Sequence, residues 1–218
     1  MKIKKILAAI MFVSILTSCS KDEPTEAYYN FRNNDFDKLL NIELNSTIKY
    51  KNQFGDEIIY VTNEVTEEYK NQLSQGSWVL PGSIKYFYYD RKVIELNSND
   101  FNNFTIKYNF NRFPIDVEQA KENDFIEYPS KFNGSVYVYL WNGIGDHGNV
   151  NINYENGVTE MMINGTNYQN IIIIQSNNPD PIIYSSSPER NVNIIYYDLY
   201  NGIVGFDDLN NNQWRIIN

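Results

Sequence analysis

Nucleophilic or acid–base chemistry in this chain would have to pass through very few residues. The sequence holds one cysteine, Cys19, and one histidine, His147. A Ser-His-Asp or Cys-His relay needs its imidazole within hydrogen-bond reach of both partners. His147 lies in Gly143-Ile144-Gly145-Asp146-His147-Gly148. Asp146 is adjacent, but the side chains of neighbouring residues diverge, and no serine stands on a nucleophile-elbow pattern. A polar loop is the expected role for this segment. A zinc site would lack further His or Cys ligands. Asp208, Asn210 and Asn212 match the first half of a calcium loop, but Gln213 stands where the turn glycine belongs. A hairpin turn between Ile203–Phe206 and Trp214–Ile217 is expected there instead. Paired carboxylates could hydrolyse a glycoside without histidine. With 27 acids and no surrounding motif, however, no pair stands out. No phosphate-cradling glycine motif occurs either. The sequence therefore nominates no catalytic residue, no metal ligand and no cofactor.

Cys19 has a different chemistry. Lys2, Lys4 and Lys5 precede an apolar run from Ile6 to Leu16, the order of a secretory signal. A membrane-spanning helix needs roughly 20 apolar residues, so this run is too short to span. Leu16-Thr17-Ser18-Cys19 resembles the lipobox, at which the thiol takes a diacylglyceryl group as a thioether and cleavage frees an α-amine for acylation. An odd thiol in an exported chain calls for an explanation, and lipidation (diacylglyceryl and palmitate-type chains) supplies one. Stable anchoring takes at least two acyl chains, so this modification suffices by itself. Residues 1–18 are thus expected to be a lipoprotein signal peptide, residues 19–34 a lipidated flexible tether and residues 35–218 a single domain. Ser20 stands where an aspartate would signal inner-membrane retention. Lys21-Asp22-Glu23 resembles the surface-export signal of Bacteroidota-type outer-membrane lipoproteins. The implied location is the outer membrane, lipid-anchored and facing the cell exterior, with the periplasmic face as the alternative.

The first eighteen residues carry three lysines and no acid, so the remainder sets 15 bases against 27 acids, a formal charge of −12. Such a surface repels phosphate backbones, and no nucleic-acid partner is expected. The aromatic content is the feature most open to a binding role. In an extended strand Tyr137, Tyr139 and Trp141 share one face, opposite Val136, Val138 and Leu140. With Tyr86 and Tyr88 from another strand they could form a platform on which sugar rings stack, Asn and Asp bonding the hydroxyls. The competing role for the same residues is a second core face under another sheet.

These side chains need strands to position them, and strands are what the pattern supplies. Thr47–Tyr50 and Glu57–Thr62 flank a turn at Gln53–Asp56. Ile84–Leu96 and Phe104–Phe110 are rich in β-branched and aromatic residues. Asp35–Leu44 fits a short helix or a first strand. Val65, Tyr69 and Leu73, spaced at four before Gly76, fit a helix or a continued strand. Asp116 and Gln119 look like a capping box for a short helix before Tyr128. Beyond residue 133 the Asn-Gly pairs at 133, 142, 156, 164 and 201 suggest type I′ hairpin turns. Their spacing suits an all-β fold with minor helix: an antiparallel meander forming a sandwich or partly open barrel.

Two stretches carry a resemblance. Ile163-Asn164-Gly165-Thr166-Asn167-Tyr168-Gln169-Asn170-Ile171 and Ile194-Ile195-Tyr196-Tyr197, with Tyr200-Asn201-Gly202-Ile203-Val204-Gly205-Phe206 and Trp214-Arg215-Ile216, are similar to a group of uncharacterised Bacteroidota lipoproteins. That resemblance covers the lipobox, the acids after it and about the last sixty residues. It implies a lipid-anchored β domain and brings no activity and no catalytic residues. The expected role is a non-enzymatic binding or structural module at the cell surface. The alternatives are a glycan-binding accessory lipoprotein of an outer-membrane uptake system, with a glycan or outer-membrane protein as partner, and a carboxylate-based hydrolase. A lipid or lipoprotein carrier with a half-open barrel is a further alternative, but a permanent lipid anchor argues against a soluble shuttle.

Overall fold

Alternation of apolar and polar residues dictates most of the elements. In the computed structural model, which describes residues 27–73, 86–98, 105–114, 130–143, 148–184 and 187–217, nearly every apolar run becomes a strand. The order is β1 (Ala27–Tyr29), a one-turn helix α1 (Asn33–Phe36), β2 (Thr47–Lys51), β3 (Glu57–Leu73), β4 (Tyr86–Ser98), β5 (Thr105–Pro114), β6 (Ser130–Val138) and β7 (Asn149–Ile152). Then come β8 (Thr159–Ile163), β9 (Thr166–Gln175), β10 (Ile182–Tyr184), β11 (Ser187–Arg190), β12 (Val192–Asp198), β13 (Gly202–Asp208) and β14 (Gln213–Ile217). Cys19, Lys21, Asp22, Glu23, His147 and the capping-box segment at 116–119 lie outside the described residues.

The fold is all-β. One sheet runs β7-β6-β5-β4-β3-β2-β14-β13-β12-β9-β8, antiparallel throughout, and curls into a half-barrel; β10 and β11 form a separate two-stranded sheet. Its curl follows from connectivity. β7 and β8 are consecutive in the chain yet occupy opposite ends of the strand order. Residues 153–158 must bridge those two edges, and at about 3.5 Å per residue they reach no further than roughly 25 Å.

The concave face carries the main core. On β5, Ile106, Tyr108 and Phe110 turn inward, as do Phe132, Val136 and Val138 on β6. They meet Tyr197 and Ile195 of β12 and Ile203 and Phe206 of β13. Three polar contacts fasten the halves. Tyr50 Oη donates to the Ile203 carbonyl at 2.7 Å. The Ile203 amide donates to Tyr108 Oη at 3.0 Å. The Val192 amide donates to the Leu140 carbonyl at 2.9 Å, tying the turn after β6 to β12. The space left between Tyr60, Ile106, Val138, Ile195 and Ile203 is about 10 Å³, at the limit for one water molecule. Around that gap the described core side chains leave no room for a lipid tail.

On the other face, the β8–β9 hairpin packs Ile163, Tyr168 and Ile171 with Val204 and Tyr196 as a second, smaller core. Asn164 Nδ2 at its turn donates to the Ile216 carbonyl at 2.7 Å.

Several elements differ from the sequence reading. Val65, Tyr69 and Leu73 belong to β3, paired with β4 from Tyr60↔Ser98 to Leu73↔Tyr86. A spacing of four places residues on one face of a helix and equally of a strand, so it could not discriminate. Asp35–Leu44 is neither a strand nor a sustained helix; α1 ends at Phe36, and Leu40 is fully buried in the main core. The stretch expected to be tether contributes β1, which runs parallel to β4 with Tyr28 opposite Tyr88. β1 fits there because β5 leaves β4 after Asn111 to follow β6.

Candidate functional site

Arg112 is where an apolar strand face turns polar. It follows Ile106, Tyr108 and Phe110 at the same inward parity on β5. Arg112 is 8% exposed, and its guanidinium needs a counter-charge. The chain supplies Asp35 from α1, itself 2% exposed. Arg112 Nε donates to Asp35 Oδ2 at 2.8 Å and Nη2 to Oδ1 at 3.3 Å. Nη1 donates to the Ser130 carbonyl at 2.7 Å and to its hydroxyl at 3.0 Å. Asp35 Oδ2 also accepts the Arg32 amide at 2.8 Å. Both carboxylate oxygens are therefore occupied by donors, which suits Asp35 to holding α1 against the sheet and not to reacting with a substrate.

This clasp forms the floor of an open groove of about 870 Å³ between α1 and the β6–β7 edge. Lys38 leaves the turn after α1 and sets its ammonium 5.5 Å from the Phe132 ring centroid and 5.4 Å from that of Tyr154. Tyr154, just beyond β7, packs edge to face on Phe132 at 5.4 Å. It can do so because residue 134 is glycine: a Cβ there would lie 2.9 Å from Tyr154 Cε2. Burial pushes the Tyr154 and Tyr197 phenols well up from their ordinary value. Neither hydroxyl completes a well-formed hydrogen bond among the described residues. At the rim, Lys131 Nζ pairs with Glu155 Oε1 at 3.2 Å. Asn34, Asn133, Asn151 and Asn153 also line the groove.

The residues nominated from sequence go elsewhere. Tyr137 lies on the convex side of β6, its ring over Gly148. Tyr139 falls in the turn after β6, with the Arg190 guanidinium 5.3 Å from its ring centroid. Trp141 is 4% exposed, bridges to Val192 and packs in the main core. The strand stops at Val138, so the alternation that would keep Trp141 beside Tyr137 is broken by a turn. Tyr86 opens β4 opposite Leu73. Tyr88 is on the face opposite to Tyr137: Tyr137 pairs with Lys107, Lys107 with Glu95, and Glu95 is an odd number of residues from Tyr88. These five residues do not make one platform. Tyr88 instead stacks on Tyr69 at 4.6 Å and 10°. Tyr69 meets Tyr28 at 5.3 Å, and the Tyr28 hydroxyl donates to Asp90. That bond and partial burial raise the Tyr28 pKa to about 12.

Asp208 organises a turn, as expected of its segment. Its Oδ1 accepts the Asn210 and Asn212 amides at 2.9 Å each, and its Oδ2 accepts Asn212 Nδ2 at 2.8 Å. Sequence reasoning missed Asp35, Lys38, Arg112 and Tyr154. One signal was legible: in Thr105–Pro114 an arginine continues the apolar face, which demands a buried acid from elsewhere. Which acid is a matter of tertiary contact.

Against family models, curated proteins and solved structures, this chain finds no match.

Proposed function

We propose that this chain is an outer-membrane lipoprotein, anchored through lipid on Cys19, that displays a non-enzymatic binding module to the cell exterior. The binding part of this reading rests on the preformed groove of about 870 Å³, within the size range of ligand-binding clefts. The sheet behind it is filled with side chains, so a ligand is met at the edge of the fold. The anchoring part rests on the lipobox at Leu16–Cys19, and the orientation on Lys21-Asp22-Glu23. A glycan-binding accessory role beside an outer-membrane uptake protein is the second reading, favoured by the four asparagines that line the groove.

The anchor is tested by Cys19→Ser. Radiolabelled palmitate should enter the wild type and not the variant, which should accumulate as uncleaved precursor. The orientation is tested by adding protease to intact cells. The wild-type domain should be removed, and alanine at Lys21, Asp22 and Glu23 should make it resistant while lipidation continues. A wild-type domain digested only after the outer membrane is permeabilised would place it in the periplasm.

A further inference from the structure

We infer that the groove takes a saccharide bearing a carboxylate, and that the Lys38 ammonium is the partner of that acid group. This rests on the binding-module reading and adds the ligand's chemistry.

Charge is the first observation. Among the described residues, three cationic side chains line the groove. Arg112 is matched by Asp35 and Lys131 by Glu155. Lys38 has no carboxylate partner and no side-chain hydrogen bond among the described residues; its ammonium rests on the Phe132 and Tyr154 rings alone. In a chain of formal charge −9, an unmatched ammonium held half-buried over two aromatic faces is an anomaly. Cation–π contact holds it in place but leaves its outer hydrogens for an acceptor.

The valence of the ligand follows from the same lining. Among the described residues two carboxylates stand in the groove, each neutralised by its own cation, so these residues together offer a single positive charge. A monoanionic carboxylate matches it. A phosphate dianion would want a guanidinium fork or several amides, and the one guanidinium among the described lining residues is engaged by Asp35 and Ser130.

A sugar scaffold follows from the remaining polar groups. The side-chain amides of Asn34, Asn133 and Asn151 make no hydrogen bond among the described residues, whereas Asn153 Nδ2 is bound to Asn156 Oδ1 at 2.9 Å. A primary amide offers both donors and acceptors, as hydroxyls require. The Phe132 face is not free to compensate for a missing charge. Phe132 is 6% exposed, packed by Phe31, Phe110 and Tyr154, and covered by Lys38. A neutral sugar would keep the exchangeable hydrogen bonds but lose the charge contact.

The test uses the full-length lipidated protein in detergent micelles and isothermal titration calorimetry at low salt. The probes are methyl galacturonoside and methyl glucuronoside, each a monoanion, beside its own methyl ester, which keeps the sugar and removes the charge. At least one acid should bind about tenfold or more tighter than its ester, the size of one charge-assisted contact. Lys38→Met, which keeps the stem over the rings, should lose that advantage with an unchanged thermal midpoint, and Lys38→Arg should retain most of it. Acid and ester binding equally, both abolished by Asn151→Trp, would overturn the charge assignment while leaving the groove as the binding site. Binding untouched by Asn151→Trp would overturn the groove itself. Absence of binding by either acid, or Lys38-dependent binding of a peptide C-terminal carboxylate in its place, would overturn the saccharide.

Discussion

Arg112 and Asp35 show how far a single residue can be read before its neighbours are known. The arginine's inward parity on β5 announces a problem, because an unpaired guanidinium beside Phe110 would be costly. Its solution comes from 77 residues earlier in the chain. The two side chains form a fork, with Ser130 taking the remaining nitrogen. Removing one partner leaves the other buried and uncompensated, a change that typically costs about 3–5 kcal/mol. Asp35→Asn should therefore lower unfolding free energy by about 3 kcal/mol in a urea titration. The double variant Asp35→Asn, Arg112→Met should recover part of that loss, because no charge remains buried. A double variant less stable than Asp35→Asn alone would show that the pair contributes more than its mutual neutralisation.

At the scale of elements, the Asn-Gly pairs show one dipeptide put to different uses. Asn164-Gly165 is the two-residue turn expected of it: Ile163 pairs with Thr166, and φ is 48° and 84° at the central residues. Asn201-Gly202 ends a longer turn in which Asp198 Oδ1 accepts the Tyr200 and Asn201 amides at 3.0 and 2.9 Å. Asn142 is a buried hub. Its amide nitrogen donates to the Asn178 and Asp180 carbonyls, and its oxygen accepts the Ile182 amide. Asn133-Gly134 is no turn at all but the middle of β6, where the missing Cβ admits the Tyr154 ring. Two alanine variants separate these uses. Gly165→Ala meets no neighbour within 4 Å but must hold a positive φ, so it should cost about 1 kcal/mol by strain alone. Gly134→Ala has no such strain but must displace Tyr154, which should cost about 1–3 kcal/mol as overpacking. Truncating Tyr154 to Ala in the Gly134→Ala background should remove most of the second penalty and none of the first. Equal rescue of both glycine variants in thermal melts would refute the distinction.

For the whole molecule, the closure of the sheet on its own tyrosines predicts an alkaline transition. Tyr50, Tyr60, Tyr108 and Tyr197 are held in the core, and burial pushes each phenol well above its ordinary value. Burial, then the hydrogen bond to Asp207, raises Tyr196 to about 12. Each folded-state pKa exceeds the unfolded value near 10. Above about pH 10 the unfolded chain therefore binds fewer protons than the native one, and stability falls as pH rises. The contribution is fully present below that pH and is lost as pH climbs through the folded values. The phenolate absorbance of these buried tyrosines should appear only as β-type circular dichroism collapses. Complete ionisation with the dichroism unchanged would mean that the core admits water and charge.

Local chemistry was legible wherever it is decided by neighbours in sequence. The all-β class, the hairpins at Gln53–Asp56 and Asn164-Gly165, and the Asp208 turn depend on alternation and turn stereochemistry, which act over two to six residues. What the tertiary structure alone decided is which of those faces is left open. Tyr137, Tyr139 and Trp141 read as one stripe because a strand was assumed to continue; a turn after Val138 sends Trp141 into the core. The groove draws on α1, β5, β6 and the residues after β7, whose encounter follows from the curl of the sheet and from β5 leaving β4 for β6. Period-two patterning says which side chains share a face, but the register and twist of distant strands determine which faces meet.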